Sequence, residues 1–440
     1  MRAIDYWVGV PLVFLVTVFD RLQRLVGLAD SPVGRPRNIL FIQLAEMGTM
    51  VVAYPSFKKA RELYPDATLH VLCFTQIRPS VEILDIISAD KIITIDAHSG
   101  WSLVRDTLLF LWRARRRRID TVINMEAFVR YSSLLSYLSG ACRRIGFHRF
   151  NVEGLYCGDL LTHKVLYNAH IHAAHTFLDL VHALGAAPDQ VPRVKRPTSM
   201  DRLEVGTITT DRSTAADLWR KLRAINGDIG PGCKLVVLNP NASARFPMRR
   251  LPLESFTELA RNLLEDPKVF VLITGVAGEK PDAQHMCTQL GSPRALDLTG
   301  QTTLTELLHL FDLAHVLVTN DSGPAHFAAL TRIHVVVFFG PEVPGRYRPL
   351  TASSDAIHTG YSCSPCIGPH NQRQSPCNDN LCLKSISIEE IAKLVRSRLE
   401  AVWSSRLRPS MVRAGPDAAA DAKWKSNDVP QQSWFNGQSG

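Results

Sequence analysis

The first half of the chain alternates between short apolar runs and segments whose apolar residues recur every three or four positions. The runs predict strands, and the three-to-four spacing predicts amphipathic helices. Strands are expected at 38–43, 68–74, 91–95 and 121–124, and helices at 52–64, 101–118 and 131–138. Strands that alternate with helices form parallel, doubly wound sheets, so this half predicts one Rossmann-like domain.

The same alternation begins again after a polar, strand-poor stretch at 189–231. Strands are expected at 234–239, 269–274, 315–318 and 335–338, the last closing the sheet, with helices at 254–264, 281–290, 304–313 and 325–330. Two such units predict an α/β protein with a cleft between the carboxyl ends of their strands, where these sheets bind ligands.

Five regions follow from this pattern. We expect an amino-terminal domain at 36–190, a linker at 191–230 and a carboxy-terminal domain at 231–403. Residues 404–440 are rich in Ala, Ser, Asp, Gln and Gly without apolar periodicity, which predicts a disordered tail. Residues 1–30 form a separate amino-terminal segment.

That segment contains the apolar run YWVGVPLVFLVTVF at 6–19. A transmembrane helix needs about 20 apolar residues, and no small-residue cleavage site follows, so neither a full span nor a signal peptide fits well. We interpret residues 1–30 as a membrane-associating segment that lies in the interface or re-enters it. A marginal span and a helix packed on the globular body are the alternatives.

Composition adds two constraints. The 440 residues are 46% hydrophobic and 21% charged, as expected for two globular domains, and the formal charge of +9 favours an acidic partner. No RNA-recognition signature accompanies the charge, so nucleic acid is not a predicted partner. Nine cysteines, an odd number spread along the chain, favour reduced thiols and the cytoplasm.

A basic cluster, RARRRR at 113–118, ends one of the predicted helices directly after the apolar stretch LLFLW. One interpretation is a solvated helix end whose positive charge suits the helix dipole. A membrane-surface patch is the second, because anionic lipids attract such clusters. A site for the phosphates of an acidic acceptor is the third.

The clearest chemical signal is the segment LVTNDSGPAHFAAL at 317–330, in which an apolar strand enters a polar turn and then a helix. Ser322 or Asp321 is expected to cap the helix, Gly323 lets a ligand approach the backbone, and Pro324 suits the first turn. The free N–H groups would bind a diphosphate, and His326 could add a hydrogen bond or positive charge. An ordinary capped helix is the alternative.

This segment and the following VVVFFGPEVPGRYRPL resemble the signature of glycosyltransferase family 9, the heptosyltransferase-type family. Four further segments agree in order: LAEMGTMVVAYPSFKKARELYPDATLHVL, VVLNPNASARFPMRRLPLESFTELA, VLITGVAGE and LDLTGQTTLTELLHLFDLAHVLVTNDSG. The resemblance covers 36–401. It implies a GT-B fold of two Rossmann-like domains facing a central cleft, with the acceptor in the first domain and the donor in the second.

The resemblance also implies the reaction and its participants. We expect an inverting, metal-independent transfer of heptose or a related sugar from ADP-heptose or a similar nucleotide-sugar. The acceptor would be a lipopolysaccharide-type or other lipid-linked cell-surface glycan, reached from the membrane surface at the cytoplasmic face of the bacterial inner membrane. Without a metal, helix termini and basic side chains must stabilise the leaving diphosphate.

Particular residues take roles by their match to the family's motifs. Arg249 and Arg250 stand where the family has a basic residue for the diphosphate, although a solvated pair before a helix is the alternative. Asp321 stands where the donor sugar is contacted. The remaining donor-binding candidates are Thr274, Gly275, Glu279, which would hold the ribose, and Asn320, Ser322, Gly323, Pro324 and His326.

The general base is where this sequence departs from the family, which usually has an Asp just after a Gly in the first loop. Here Thr49 follows Gly48, and a hydroxyl is too weakly basic to accept the acceptor proton at neutral pH. Glu46 on the same loop is our predicted base, with Glu126 as an alternative. Loss of the catalytic step is the third alternative, which would make the chain a non-catalytic sugar-nucleotide or glycan-binding protein of a polysaccharide assembly complex.

Two further clusters contain metal-ligand residue types. His170, His172 and His175 lie beside Tyr167 and Asn168, and we interpret them as a helix start or a wall of the acceptor cleft rather than a metal site. Four cysteines spaced C-x2-C-x10-C-x4-C suggest either a structural zinc site or free or redox-paired thiols, without a catalytic role: Cys363, Cys366, Cys377 and Cys382.

Overall fold

The chain folds into two α/β domains, each built on a six-stranded parallel sheet. The structure is a computed structural model, and it describes residues 6–26, 34–150, 154–187, 190–200, 203–243, 246–371 and 373–407. Most of the predicted tail, residues 408–440, lies outside the described residues, as do residues 1–5 and 27–30 of the amino-terminal segment.

The first domain contains six strands and, with the amino-terminal segment, six helices among its described residues. Its strands are β1 Asn38–Ile42, β2 Thr68–Phe74, β3 Ile92–Ile95, β4 Thr121–Asn124, β5 Arg143–His148 and β6 His163–Leu166. Its helices are α1 Gly9–Leu25, α2 Met47–Leu63, α3 Arg78–Glu82, α4 Gly100–Arg116, α5 Arg130–Leu138 and α6 Ala173–His182.

The second domain repeats this plan. Its strands are β7 Lys234–Asn239, β8 Val269–Ile273, β9 Ala295–Asp297, β10 Val316–Asn320, β11 His334–Phe339 and β12 Ser354–His358. Its helices are α7 Arg212–Ile225, α8 Leu253–Leu263, α9 Lys280–Leu290, α10 Leu304–Leu313, α11 Gly323–Ala328, α12 Pro344–Tyr347, α13 Leu381–Lys384 and α14 Ile388–Leu407.

Both sheets have the Rossmann strand order. The first runs β3-β2-β1-β4-β5-β6 and the second β12-β11-β10-β7-β8-β9. The order reverses between β1 and β4 and between β7 and β10, and ligands of such sheets bind outside the carboxyl ends of the strands at these switch points. The predicted pair of doubly wound domains is therefore confirmed.

The central strands are apolar on both faces because helices cover both sides of each sheet. In β1, Ile39 and Phe41 pack in the core that includes α2, whereas Leu40 and Ile42 pack against α4 on the opposite face. All four side chains are fully buried. This continuous burial explains why the hydrophobic pattern predicted the strand so well.

Several predicted boundaries were wrong. Four short strands escaped prediction, namely β5, β6, β9 and β12, because their sequences mix charged or small residues with apolar ones. Since β12 pairs with β11 through residues such as Ala356 and Ile357, β11 is not the edge strand expected from the sequence. Helix α2 begins at Met47 rather than 52.

The predicted linker and tail also contain helical structure. Helix α7 lies within 191–230, buries Leu218 and Leu222, and begins at Asp211, whose carboxylate accepts a hydrogen bond from the Thr214 amide at 2.8 Å. Its other residues are mostly polar, so the hydrophobic pattern did not predict this helix. Helix α14 continues to Leu407, past the predicted domain end at 403.

The amino-terminal segment contains helix α1, which packs beside α5. Asp20 of α1 is buried and pairs with Arg24 at 2.7 Å and with Arg144 of β5 at 3.6 Å. These contacts agree with the alternative of a helix held against the globular body. Within the part of the chain that the structure describes, no helix is both long and apolar enough to cross a bilayer. Association of the segment with a membrane stays a prediction.

Candidate functional site

The two switch points meet across one cleft, and Gly48 lies where the domains touch. Helix α2 of the first domain contacts α11 of the second. A Cβ atom on Gly48 would lie 2.8 Å from Cδ2 of His326, too close without a shift, and 3.1 Å from Cα of Gly323, which is tight. The loop after β1 and the loop after β10 therefore belong to a single site.

Glu46, the predicted base, lies at the start of α2 with a left-handed backbone, φ 72°. One carboxylate oxygen accepts a hydrogen bond from the Thr49 hydroxyl at 3.2 Å, and the other pairs with the guanidinium of Arg373. Burial lowers the pKa of Arg373 to about 10, so this side chain is still a cation at neutral pH. The sequence did not indicate Arg373, which comes from the loop between β12 and α13.

Glu126, the alternative base, forms hydrogen bonds to the same loop. One of its oxygens accepts hydrogen bonds from the backbone amides of Leu44 at 2.7 Å and Ala45 at 3.3 Å, and from the Gln43 side chain at 3.1 Å. These bonds hold the chain between β1 and α2 in place. Glu126 is thus a positioning group for the loop that carries Glu46.

In the second domain, Asp321 lies beside Arg249, and both are donor-site candidates from the sequence. The Nε atom of Arg249 lies 3.5 Å from Oδ2 of Asp321, and both side chains are largely buried. Burial raises the pKa of the Asp321 carboxyl, while Arg249 acts in the opposite direction. Neither of these two atoms has a hydrogen-bond partner among the described residues.

Arg250 and Asn320 form hydrogen bonds to the loop that follows β7. Arg250 donates two hydrogen bonds to the carbonyl of Ala242, at 3.0 and 2.7 Å. Asn320 accepts from the Leu251 amide at 2.9 Å and donates to the Pro240 carbonyl at 2.7 Å. Both side chains tie the loops that follow β7 and β10, and so fix where Arg249 stands.

The capping expected at helix α11 was wrong. Ser322 precedes the helix but makes no side-chain cap, because its hydroxyl instead donates to the Asn320 carbonyl at 3.2 Å and lies 3.3 Å from the Thr319 hydroxyl. Asp321 does not cap the helix either. Gly323 and Pro324 form the first turn, as expected from their residue types.

Of the two roles expected for His326, a hydrogen bond or a positive charge, the structure favours the hydrogen bond. Burial, together with the nearby Arg249, lowers the pKa of His326 to about 4, so the imidazole is neutral at neutral pH. Its Nδ1 atom has no partner within the described part of the chain. A hydrogen bond to a ligand is the role that this geometry leaves for it.

The nucleotide candidates Thr274, Gly275 and Glu279 lie together where β8 ends. Thr274 is buried, and its hydroxyl donates to the Leu238 carbonyl at 3.4 Å. Glu279 accepts a hydrogen bond from the Val276 amide at 2.9 Å, and burial raises its pKa. Its carboxylate would lie 2.5 Å from a Cβ on Gly275, so the three residues share one small region.

Besides Arg373, the sequence missed two further site residues, Glu342 and Arg346, both after β11. Glu342 is fully buried and neither of its oxygens has a hydrogen-bond partner in the described structure. Burial, followed by the nearby Asp321, raises its pKa to about 8. Arg346 is also buried, with unpartnered Nε and Nη2 atoms, and its guanidinium lies 5.1 Å above the ring of Tyr167 from the first domain. In the sequence, the segment GPEVPGRYRPL was the signal that could have identified these two residues.

The histidine cluster forms a helix start at the domain boundary, as interpreted from the sequence. His172 caps α6 by accepting from the Ala174 amide at 3.2 Å, and its Nε2 lies 2.9 Å from the Arg348 carbonyl of the second domain. Burial lowers the pKa of His172 to about 4. This residue therefore links the domains as a neutral side chain.

Four cysteines near the carboxyl end line one cavity, together with residues such as Met248 and Asp379. These cysteines are Cys363, Cys366, Cys377 and Cys382. All four are free thiols, and burial raises the pKa of Cys382 to about 11. Among the described residues, no set of three or more His, Cys, Asp or Glu side chains is arranged to hold a metal ion. The choice between structural zinc and free or redox-paired thiols stays a prediction.

Two Rossmann-like domains with opposed switch points define the GT-B class of proteins. A model of the family described as glycosyltransferase family 9 (heptosyltransferase) matches residues 109–375, which is more than half of the chain. The chain belongs to this family, as its motifs predicted.

Individual relatives agree with that assignment. Lipooligosaccharide heptosyltransferase 2 of Campylobacter jejuni subsp. jejuni serotype O:6 is 26% identical over 174 residues, covering 37% of this chain and 52% of the relative. The chain thus spans about half the length of such curated relatives. Lipopolysaccharide heptosyltransferase 2 of Escherichia coli K12 is 28% identical over 157 residues, covering 33% and 45%.

Among solved structures, E. coli ADP-heptose lps heptosyltransferase II superimposes with a TM-score of 0.64 at 18% identity, covering 83% of this chain and 99% of that one. The E. coli heptosyltransferase WaaC with ADP-2-deoxy-2-fluoro heptose gives 0.56 at 13% identity, covering 82% and 99%. At these identities the likeness supports the two-domain fold alone.

Proposed function

We propose that this protein is an inverting, metal-independent glycosyltransferase. It moves heptose or a related sugar from ADP-heptose or a similar nucleotide-sugar onto a lipopolysaccharide-type or other lipid-linked glycan. One observation carries the proposal: at the second switch point, buried polar atoms of Arg249, Asp321 and His326 have no hydrogen-bond partner among the described residues. His326 also lies against Gly48, in the segment that bears Glu46. Buried polar atoms are costly unless they are hydrogen-bonded, so such a set suits a polar, anionic ligand. Family membership and the names of the relatives support the same reaction.

In this proposal the donor binds to the second domain. Arg249 stands beside the leaving diphosphate, and Asp321 accepts hydrogen bonds from hydroxyl groups of the transferred sugar. Neutral His326 adds one hydrogen bond through its unpartnered Nδ1. Thr274, Gly275 and Glu279 hold the nucleoside. The solved relative that contains a fluorinated ADP-heptose supports this class of donor.

The transfer then follows from the positions of the charged groups. An acceptor hydroxyl oxygen attacks the anomeric carbon, and Glu46 takes its proton. The bond between that carbon and the phosphate oxygen breaks, and its electron pair leaves with the nucleoside diphosphate, which Arg249 stabilises. Attack opposite the leaving group inverts the anomeric carbon. In this scheme, side chains of the protein supply both the base and the cation that stabilises the leaving diphosphate.

Glu46 is available for this role only in part, because Arg373 holds one of its oxygens. Within the described part of the chain, the other oxygen accepts a hydrogen bond from the Thr49 hydroxyl alone, and an acceptor hydroxyl can replace it. In this scheme Thr49, at the position of the family's usual Asp, keeps the carboxylate oriented. Arg373 holds that carboxylate in place through the ion pair.

The acceptor places the reaction at a membrane. We propose that the protein works at the cytoplasmic face of the bacterial inner membrane, bound peripherally or through its amino-terminal segment. The formal charge of +9 supports an anionic acceptor and an anionic surface. A lipid-linked glycan would reach the cleft from the side of the first domain.

A direct test measures sugar transfer and nucleoside diphosphate release with ADP-heptose and a bacterial lipid-linked glycan extract, with and without EDTA. We expect transfer with inversion that EDTA leaves unchanged. Tight nucleotide-sugar binding without any transfer would instead identify a non-catalytic binding protein. Transfer that stops in EDTA and returns with a divalent cation would contradict metal independence.

A further inference from the structure

Helix α1 exposes its apolar side to solvent, unlike a typical surface helix of a soluble domain. Such helices normally turn their apolar stripe inward and their polar residues outward. Here the side chains that face the body include Thr17 and Asp20 along with Val13. The outward side consists largely of exposed apolar residues: Leu12, Phe14, Leu15, Val18, Phe19, Leu22 and Leu25, which are 41–82% exposed.

Helix α4 carries a second exposed apolar stripe. Trp101, Val104, Leu108 and Trp112 follow one another at intervals of three or four residues and so share one face of the helix. Trp101 is 75% exposed and Trp112 is 55% exposed. Single exposed apolar residues are ordinary, whereas a continuous stripe with two tryptophans marks an interaction surface.

The two stripes belong to one layer of helices. Helices α4 and α5 both pack on the sheet face formed by Leu40 and Ile42, through Phe110 and Leu135 respectively. Helix α1 packs on the other side of α5, where Val13 contacts the cluster that contains Leu134. The sheet lies beneath this layer, so both stripes contribute to its outer side. We call the stripes of α1 and α4 together the apolar surface.

Cations without acidic partners border the apolar surface. Arg113, Arg115, Arg116 and Arg118 at the end of α4 are exposed, and none forms an ion pair within the described residues. The guanidinium of Arg116 lies 5.1 Å above the ring of Trp112, so the basic cluster adjoins the stripe directly. On α1, Arg21 is also largely exposed, although it pairs with Asp159 at 3.4 Å.

We propose that the apolar surface docks on an anionic lipid bilayer. Its apolar side chains enter the boundary between headgroups and acyl chains, and the arginines bind lipid phosphates. Trp7, Trp101 and Trp112 then lie at the depth that tryptophan prefers in membranes. The inference rests on surface composition and contacts, so it stands independently of the proposed reaction.

Charge argues for a bilayer over a second copy of the chain. A two-fold dimer through this surface would bring the same positive surface of each copy together. Like charges at such short range repel, and no exposed acidic cluster on α1 or α4 compensates. An anionic bilayer supplies both an apolar interior and the opposite charge.

The test uses the full chain and floats it with vesicles of phosphatidylcholine alone or mixed with phosphatidylglycerol. We expect binding to the anionic vesicles that weakens as salt is raised, because lipid phosphates attract the arginines. The variant Trp101→Ser/Leu108→Ser/Trp112→Ser should lose at least about tenfold in vesicle affinity. Replacing three apolar residues of similar exposure elsewhere should have no effect: Met200→Ser, Ile225→Ser and Val276→Ser.

A charge variant tests the second half of the proposal. Arg115→Gln/Arg116→Gln should weaken binding to anionic vesicles by about fivefold per arginine and leave binding to phosphatidylcholine unchanged. Arg220→Gln, at an exposed arginine of α7, is the control. Quenching of tryptophan fluorescence by brominated phosphatidylglycerol in the unaltered protein gives a readout that needs no variant to fold.

Three results would overturn the inference. The unaltered protein could ignore anionic vesicles and show no quenching. The tryptophan and arginine variants could bind as well as their controls. Light scattering could show a dimer that the serine variant dissociates while vesicles remain unbound, in which case a second copy covers the surface. Loss of sugar transfer in solution would affect only the proposed reaction.

Discussion

Glu46 and Arg373 form an ion pair that joins the two domains across the cleft. Glu46 follows the first strand of one domain, and Arg373 lies in the loop after the last strand of the other. Arg373 holds one oxygen of Glu46, and among the described residues the other accepts from the Thr49 hydroxyl alone. If Glu46 replaces the family's usual aspartate as base, this pair sets its orientation.

If Glu46 is the base, Glu46→Gln should abolish most of the transfer activity. Loss of a general base typically lowers rates by about 10²–10⁴-fold, and we expect kcat to fall in this range while nucleotide binding is unchanged. Steady-state kinetics with the donor and a lipid-linked acceptor measures it. Glu62→Gln, an exposed acid on the same helix that pairs with Lys59, is the matched control. Full activity in Glu46→Gln would move the base elsewhere.

The ion pair should also contribute to the stability of the two-domain arrangement. Glu46→Gln and Arg373→Gln should each lower the free energy of unfolding, and the double variant should lose less than the sum. Groups in direct contact typically show coupling of about 0.5–3 kcal/mol, which a double-mutant cycle in urea measures. Additive losses would mean that the two side chains do not interact in solution.

Glu342 makes stability depend on pH. Its folded-state pKa of about 8 lies well above the ordinary value of 4.5, so the folded protein keeps a proton that the unfolded chain releases. The stabilising effect of this proton is complete below about pH 4.5 and is lost as the pH rises through 8. Glu342→Gln, which is neutral throughout, should therefore be more stable than the unaltered protein by an amount that grows from pH 5 to about 8, on the order of 3 kcal/mol.

Thermal unfolding of both proteins across this pH range measures the effect. Glu62→Gln again serves as control, since an exposed carboxylate should give a difference that does not change with pH over this window. A constant difference between Glu342→Gln and the unaltered protein would show that Glu342 is ionised in the folded state.

Gly48 should tolerate no side chain. Gly48→Ala would place Cβ against His326 and Gly323 and push the domains apart. Overpacking of this kind typically costs about 1–3 kcal/mol, and displacement of Glu46 from the donor site should lower kcat as well. Gly185→Ala, where the new Cβ meets no atom within 4 Å, should change neither. Unaltered transfer by Gly48→Ala would argue against close approach of the domains during the reaction.

Apolar runs predicted the central framework well because both faces of the inner strands are buried. Strand β7 and helix α10 agree with the expected bounds at 234–239 and 304–313. Strand β12, with the sequence SDAIH, and the mostly polar helix α7 were missed because their stability depends on neighbours that a local pattern does not contain. Length and periodicity cannot reveal such elements.

The site was predictable only where its residues lie within a family motif. Asp321 and Arg249 were expected and do lie together. Arg373 was not expected. It contacts Glu46 only because the two folded domains face each other, and the two residues lie far apart in the sequence. The sequence could not decide between a hydrogen bond and a charge on His326 for a related reason, since its burial depends on packing from both domains.

The most direct test of the account is calorimetric titration with ADP-, UDP-, GDP- and dTDP-linked sugars and the free nucleotides, on the unaltered protein and on Asp321→Asn. We expect one nucleotide class to bind. Asp321→Asn should weaken the sugar-linked form by about 10- to 100-fold, the typical effect of a hydrogen bond to a charged group, and leave the free nucleotide unaffected. Failure of every nucleotide to bind at millimolar concentration, or equal binding of the sugar-linked form by both proteins, would contradict the donor site described for the second domain.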